Sequence, residues 1–359
     1  MFGRWAGLLL LLLAGPAVAA PTPAFQAAVD AAALRGFAGE IGLSDRTATL
    51  DHRAVSAPGH PHATGEVWRW ASVTKQITAT LAMQEVAAGH LSLDDTVAAR
   101  LPAFGGATGG QITLRMLLQH TSGLPNPDDT GAADDKQMPA FYRRPRLGSG
   151  RASDALGYCA GKPKAPPGAG FAYNNCDFIV LGAILERSSG KPFAALVQGR
   201  IAGPLGLRSL KVATGTGEPA TVRGRLDAAT PEPAFHLATF GASGAVYGTA
   251  ADLLAFDRGL LSGRLLDAKA TATAWAGDPR LGYVALGVWA FPATLRGCAG
   301  EVRLVERRGE IGGVEVRNIL APDLGRALVV FADRSDLDFG EIWQGKGLSF
   351  DLASAAFCA

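Results

Sequence analysis

The order of apolar and polar positions along the chain predicts a stretch of sheet, a run of helices and a return to sheet. An Ala-rich helical segment over 24–34 precedes two short strands, 37–43 and 47–52, around a turn at Ser44-Asp45-Arg46. From Ser72 to Ala88 the apolar residues Val73, Ile77 and Leu81 recur at every fourth position, and Gly89 supplies a C-terminal stop. Further helices are expected over 96–101, over 114–120 with Thr113 as cap, over 177–187, and over 193–201 with Pro192 at the first position. Alternation returns at Val314, Val316, Asn318 and Leu320, then Pro322-Asp323-Leu324-Gly325 turns the chain into a partner strand over 327–331. This order predicts an α+β fold in which both chain ends build one antiparallel sheet, flanked by helices, with a central helical subdomain beside it. We place the sheet-containing part at 20–71 and 241–359 and the helical part at 72–240, with a cleft between them. Two polar, Gly- and Pro-rich loops, 125–153 and 213–233, are long enough to be expected to serve function.

The first nineteen residues read as an export signal, with Arg4 as the positive end, an apolar run Leu8–Leu13 and Ala17-Val18-Ala19 as a small-residue cleavage site. The alternative, a membrane anchor, fits poorly because the uncharged stretch Trp5–Ala20 is short and broken by Gly15-Pro16. A periplasmic or secreted protein without a stable membrane span is therefore expected. The later uncharged run 281–295 contains Pro292 and reads as buried sheet. Export permits disulfides, and the four cysteines allow three pairings. We expect Cys159 with Cys176, closing a short loop, and Cys298 with Cys358, tying down the chain end; four buried free thiols are the alternative. With 48% hydrophobic and 18% charged residues among 359, the chain has ample material for a core and is not a disordered one. A net charge of +2 without a basic run gives no indication of a phosphate-neutralising surface, so nucleic acid is not an expected partner.

No G-x-S-x-G elbow, Walker loop, G-x-G-x-x-G or zinc-type spacing occurs. The positive signal is Ser72-Val73-Thr74-Lys75 at a helix start, where residues three apart share a face. A Lys amine brought there and deprived of its proton by burial can activate the Ser hydroxyl, while the free N–H groups of the helix start can stabilise an oxyanion. The same spacing at Ser188-Ser189-Gly190-Lys191 spans a helix end and shows how readily it arises by chance. Tyr173-Asn174-Asn175 adds a phenol able to relay a proton when a neighbouring cation lowers its pKa, and an amide able to hold a Lys amine. His120, at the end of a helix, reads as a cap.

These residues resemble the serine β-lactamase and penicillin-binding group, in its class C β-lactamase-like branch, which includes D-alanyl-D-alanine carboxypeptidases, D-aminopeptidases and esterases. The resemblance runs from about Phe37 to Phe331 and is carried by Trp70-Ala71-Ser72-Val73-Thr74-Lys75, Leu93-Asp94-Asp95, Ile112-Thr113-Leu114-Arg115, His120-Thr121-Ser122-Gly123-Leu124-Pro125 and Pro167-Gly168 leading to Tyr173. Gly190-Lys191-Pro192, Pro204-Leu205-Gly206-Leu207 and Ala242-Ser243-Gly244 also fit. It implies a β-lactamase/transpeptidase-like fold, with Ser72 as the acylated nucleophile, Lys75 as its base and Tyr173 as proton relay. Asn175 would orient Lys75 and the substrate carbonyl, and neither a metal nor an organic cofactor is implied. The family's third motif is Lys or His, any residue, Gly, and the best-aligned stretch here is Glu310-Ile311-Gly312-Gly313.

In that alignment a carboxylate replaces the cation that binds substrate carboxylates, and Gly313 offers the second oxyanion N–H. Two charges about 4 Å apart at an effective dielectric near 20 interact by about 4 kcal/mol, so reversing one sign argues against carboxylate substrates by about a thousandfold. Arg308, two residues earlier on the same strand face, is a possible compensating cation, and Arg307-Arg308-Gly309 is a basic-x-Gly triplet in another register. The expected function is an exported serine hydrolase acting on a small ester, amide or peptide, with esterase-like preference. The alternatives are a β-lactamase or D-alanyl-D-alanine carboxypeptidase, and an inactive cell-wall-binding homologue.

Overall fold

The computed structural model describes residues 22–102, 104, 108–132, 134, 136–144 and 153–358, and the expected export signal lies outside them. Among the described residues the strands are β1 (Gly39–Asp45), β2 (Thr49–Val55), β3 (Trp68–Arg69), β4 (Lys211–Val212), β5 (Val246–Gly248), β6 (Trp289–Thr294), β7 (Glu301–Ile311), β8 (Val314–Ala321) and β9 (Arg326–Ala332). Six of them form one antiparallel sheet in the order β2-β1-β9-β8-β7-β6, while β3, β5 and β4 form a small second sheet. Both chain ends meet where β1 pairs with β9, from Gly39 opposite Ala332 to Asp45 opposite Arg326. Only glycine suits the start of β1: Gly39 has φ +150°, and a Cβ there would lie 1.9 Å from the Phe331 carbonyl oxygen.

The sheet is apolar on both faces, so each face needs a cover. Helices Pro23–Leu34 and Leu348–Cys358 bury Phe25, Val29, Leu352 and Phe357 together with Leu304, Ile319, Leu328 and Val330. Helix Ala250–Leu261 lies on the other side, close enough that a side chain at Gly42 would meet Leu254 at 2.6 Å. That side continues into the helical block, whose centre is helix Thr74–Ala87 against helix Asn175–Ser189.

The expected helix after Ser72 is present but is not amphipathic, because every residue from Thr74 to Met83 is buried. The polar ones survive burial through local partners: the Thr78 hydroxyl donates to Ala242 O at 2.8 Å and that of Thr80 to Gln76 O at 2.8 Å. Two expectations shift in detail. Pro192 caps the helix Phe193–Val197 instead of opening it, and the chain continues as a π-turn over Gln198–Ala202. In the run 281–295 the sheet strand begins only at Trp289, and the preceding residues form loop that packs on the helical block through Gly287. No helix among the described residues is long and apolar enough to cross a membrane.

The cysteines stand as the pairs Cys159–Cys176 and Cys298–Cys358, 17 and 60 residues apart in sequence. Closing 60 residues restricts the unfolded chain by about 4 kcal/mol in the chain-entropy description. Replacing Cys298 and Cys358 together by Ser is expected to lower unfolding free energy by about 3–4 kcal/mol in a denaturant titration; an unchanged midpoint under non-reducing conditions would contradict this.

Candidate active site

Ser72 lies in the 3-10 turn Ala71–Val73 that leads into helix Thr74–Ala87. Ala71 adopts φ 45°, a left-handed conformation costly for a residue with a Cβ, immediately before the nucleophile candidate. One helical turn on, Lys75 is fully buried, with its Nζ 3.0 Å from Ser72 Oγ, 2.6 Å from Asn175 Oδ1 and 2.8 Å from Ser243 O. The last two partners can only accept. A neutral amine has two N–H groups for them and one lone pair left, aimed at the Ser72 hydroxyl. Burial pushes Lys75 well below its usual range and nearby Arg307 adds to this, against the smaller opposing pull of Asp128 and Asp177.

Tyr173 completes the other side, with its phenol oxygen 2.5 Å from Ser72 Oγ. Arg307 Nη2 donates to the same phenol at 2.9 Å. Contrary to the expectation of a lowered pKa, burial pushes the Tyr173 phenol up and outweighs the pull of Arg307 and Ser72, so it rests protonated. Donors therefore run one way, from Arg307 to Tyr173, Ser72 and Lys75. Of the two asparagines after Tyr173, Asn174 caps the helix, accepting from Cys176 N at 2.8 Å, and Asn175 faces Lys75. The Asn175 amide nitrogen donates to Asp128 at 3.0 and 3.2 Å and to Tyr142 OH at 2.8 Å.

The structure corrects the register of the third motif. Strand β7 runs past the end of β6 and packs on the Ala71–Val73 turn at Gly309, where a Cβ would lie 2.8 Å from Ser72 N and 2.9 Å from Trp70 O. Arg307, not Glu310, reaches the centre: its Nε donates to Ser72 O at 2.9 Å, its Nη1 to Gly287 O at 3.4 Å, and its side chain is buried. Gly312 (φ 58°) and Gly313 (φ 81°) supply the left-handed turn from β7 into β8, and a Cβ on Gly313 would lie 2.3 Å from Arg225 O. The Gly pair that favoured the other alignment thus serves a hairpin, and Gly313 does not lie against Ser72. Arg308 is bound by Glu306 at 3.0 Å and by Glu341 at 2.6 Å.

Glu310 does face the cleft, a cavity of about 380 Å³ also lined by Ser72, Tyr173, Asn175, Asp128 and Arg307. It stands opposite Glu315 in the ladder. Burial raises the Glu315 carboxyl to about 7, with Arg317 lowering and Glu310 raising it. Glu310 keeps solvent access, yet its enclosure by neighbours raises its own carboxyl, against Arg317 and the Gly313 N–H.

His120 does close its helix, with its N–H donating to Leu117 O at 3.3 Å and that of Thr121 to Met116 O at 2.9 Å, but its side chain has a further place. It is buried with φ 56°, its Nδ1 lies 2.9 Å from Asp177 Oδ2, and its ring packs 4.7 Å from that of Tyr173. Burial pushes the Asp177 carboxyl well up despite its bond from the Ser122 hydroxyl. Sequence reasoning missed Asp128, Tyr142 and Asp177, for which loop length was the only signal in the first two cases. The second Ser-x-x-Lys is structural: the Ser188 hydroxyl donates to Glu85 Oε2 at 3.4 Å, and Lys191 is exposed beyond the helix end. No group of three His, Cys, Asp or Glu side chains among the described residues is arranged to hold a metal.

A sheet-and-helix fold with Ser, Lys and Tyr converging on one oxygen defines a serine acyl-transfer class of protein. The Beta-lactamase family pattern matches residues 30–341, and the chain belongs to that family of serine hydrolases. Esterase EstB of Burkholderia gladioli is 35% identical over 178 residues, 46% of this chain and 41% of that esterase. The D-alanyl-D-alanine-carboxypeptidase/endopeptidase AmpH of Escherichia coli (strain K12) is 33% identical over 148 residues, 40% of this chain and 36% of that protein. The matches thus span about two-fifths of these relatives. The solved D-stereospecific amidohydrolase from Streptomyces sp. superposes with a TM-score of 0.73 at 27% identity, covering 93% of this chain and 98% of that one. The fold is the β-lactamase/transpeptidase fold.

Because Glu315 titrates near 7 when folded against an ordinary 4.5, its ionisation weakens the native state. The penalty is absent below pH 4.5 and complete above pH 7. Glu310→Gln removes the facing charge, so thermal unfolding is expected to match wild type at pH 4 and to occur at a higher temperature at pH 8. Equal differences at both pH values would contradict this.

Proposed function

We propose that the chain is an exported serine hydrolase that cleaves an ester or amide through an acyl-Ser72 intermediate. The observation that carries this reading is the Ser72 oxygen held between the Lys75 amine at 3.0 Å and the Tyr173 phenol at 2.5 Å. Lys75 takes the Ser72 proton as Oγ attacks the carbonyl carbon, and the Ser72 N–H, at a turn leading into a helix, faces the developing oxyanion. Tyr173 gives its proton to the leaving group, Arg307 stabilises the phenolate that results, and the proton gained by Lys75 returns to it. Water then enters along the same path in reverse and releases the acid. The attack by Ser72 needs the neutral amine that burial favours.

The esterase-like preference rested on a missing cation, and that basis is gone, since Arg307 stands there. Its donors, however, are committed to Tyr173, Ser72 O and Gly287 O. Arg308 is covered by Glu306 and Glu341, and Arg317 by Glu315 at 2.6 Å. The solvent-exposed charges on the cleft wall are instead the carboxylates Asp128 and Glu310. A substrate carboxylate meets like charge there, so neutral esters and amides are favoured over β-lactams and peptides ending in D-alanine. The names of the relatives, an esterase beside a carboxypeptidase, bracket this choice. The complete donor chain argues against an inactive binding protein. The signal at 1–19 supports a periplasmic or secreted location.

Wild type is expected to gain one fluorophosphonate adduct at Ser72 and to hydrolyse p-nitrophenyl esters, both lost in Ser72→Ala. Absence of the adduct in the folded protein contradicts the reading, and faster turnover of nitrocefin than of esters contradicts the substrate preference. In the same assay Arg307→Gln is expected to lose about a hundredfold in kcat, the scale of one charge-assisted hydrogen bond to a reacting group, while Glu310→Gln stays within about threefold. The reverse order would restore the original register.

A further inference from the structure

Asn175 shows its amide oxygen to Lys75, and no feature of its own enforces that choice, since the two ends of an amide have nearly the same shape. The enforcement comes from the loop that precedes it in sequence. Both oxygens of Asp128 accept from Asn175 Nδ2, and Tyr142 OH accepts from it as well while donating to Asp128 Oδ1 at 2.8 Å. A flipped amide would set its oxygen against a carboxylate and its N–H groups against those of Lys75. The triangle is itself anchored: the Tyr142 ring stacks on Phe240 at 3.9 Å, and Asn126 Oδ1 accepts from Asn175 N at 3.1 Å. Asp128 lies in a 3-10 turn, Pro127–Asp129, and among the described residues it has no ion-pair partner.

We propose that Asp128 is a positioning residue of the hydrolytic site, fixing the Asn175 amide so that its oxygen faces Lys75 and placing an uncompensated negative charge beside that base. The inference rests on the reading of Lys75 as base of Ser72. Its consequence is that both amide protons of Asn175 are engaged, so that side chain is not free to hold a substrate carbonyl. The groups facing Lys75 are Ser72 from the turn before its helix, Arg307 from β7, Asn175 and Asp177 from helix Asn175–Ser189, Tyr173 and His120 from the segments behind it, Ser243 O, and Asp128. Arg307 opposes protonation of Lys75, Asp128 favours it, and Asp177 favours it only when ionised, a state its burial resists. Loss of the Asp128 charge therefore makes Lys75 easier to deprotonate and a weaker base.

The test is the pH dependence of fluorophosphonate labelling and of p-nitrophenyl butyrate hydrolysis in Asp128→Asn, Asp128→Ala and Tyr142→Phe, with folding checked by circular dichroism. Asp128→Asn keeps an acceptor for Asn175 and loses the charge. Its acid limb is expected to move to lower pH by about half a unit to one unit, with KM unchanged and a plateau kcat a few-fold lower. Asp128→Ala is expected to show the same shift with a plateau about 10- to 100-fold lower, because the amide is released. Tyr142→Phe retains the charge, so it loses rate without moving the limb, and it stands as the second probe if an Asp128 variant fails to fold. An acid limb that stays in place when Asp128 is neutralised, or a rise in KM alone, overturns the proposal while wild-type labelling at Ser72 keeps the hydrolase reading intact. No wild-type adduct at all removes both.

Discussion

A buried lysine amine with no carboxylate in contact is the constraint on which the rest of this site depends. Lys75 is enclosed on every side, and the groups that touch it are a hydroxyl, an amide oxygen and a backbone carbonyl. Two of those can accept only, which suits an amine with two hydrogens and directs its lone pair at Ser72. Arg307 adds a positive charge nearby and makes protonation less favourable still. The same arginine begins the chain of donors that ends on Lys75, so one side chain sets both the charge of the base and the direction of the hydrogen bonds.

The fold contributes close backbone approach. Strand β7 can lie on the Ala71–Val73 turn because Gly309 has no side chain, and the loop at Gly287 can approach Lys75 O because a Cβ there would stand 3.0 Å from it. Ala71 holds a left-handed conformation between these contacts. The sheet that carries β7 exists only because β1 and β9, from opposite ends of the chain, pair and are covered on both faces. Long-range packing thus places Arg307 against a turn that lies 235 residues away in sequence.

The architecture was legible because it rests on local signals: strand alternation in β8 and β9, a helix stop at Gly89, a capping Thr113. Ser72, Lys75, Tyr173 and Asn175 were legible because short spacing on a helix start and a capped turn brings each set together. The third motif was misplaced for a physical reason. A glycine pair on a strand marks either a close approach or a turn, and the sequence does not distinguish Gly309, which needs the first, from Gly312-Gly313, which needs the second. A slip of three also exchanges the strand faces, which turned one wrong glycine into a wrong charge at the site. Asp128 and Tyr142 were invisible because their partner, the Asn175 amide, is reached only after the loop folds back. His120 was legible as the residue that closes its helix, while the buried contact of its ring with Asp177 was not, because that partner stands 57 residues further on.

The most direct test of the central claim is an NMR titration of the Lys75 side-chain nitrogen in protein carrying labelled lysine, assigned with a Lys75→Arg variant. The account predicts a resonance that titrates well below the ordinary 10.5 and that moves upward when Arg307 is replaced by Gln. A Lys75 that titrates at its ordinary value, unaffected by Arg307, would contradict it.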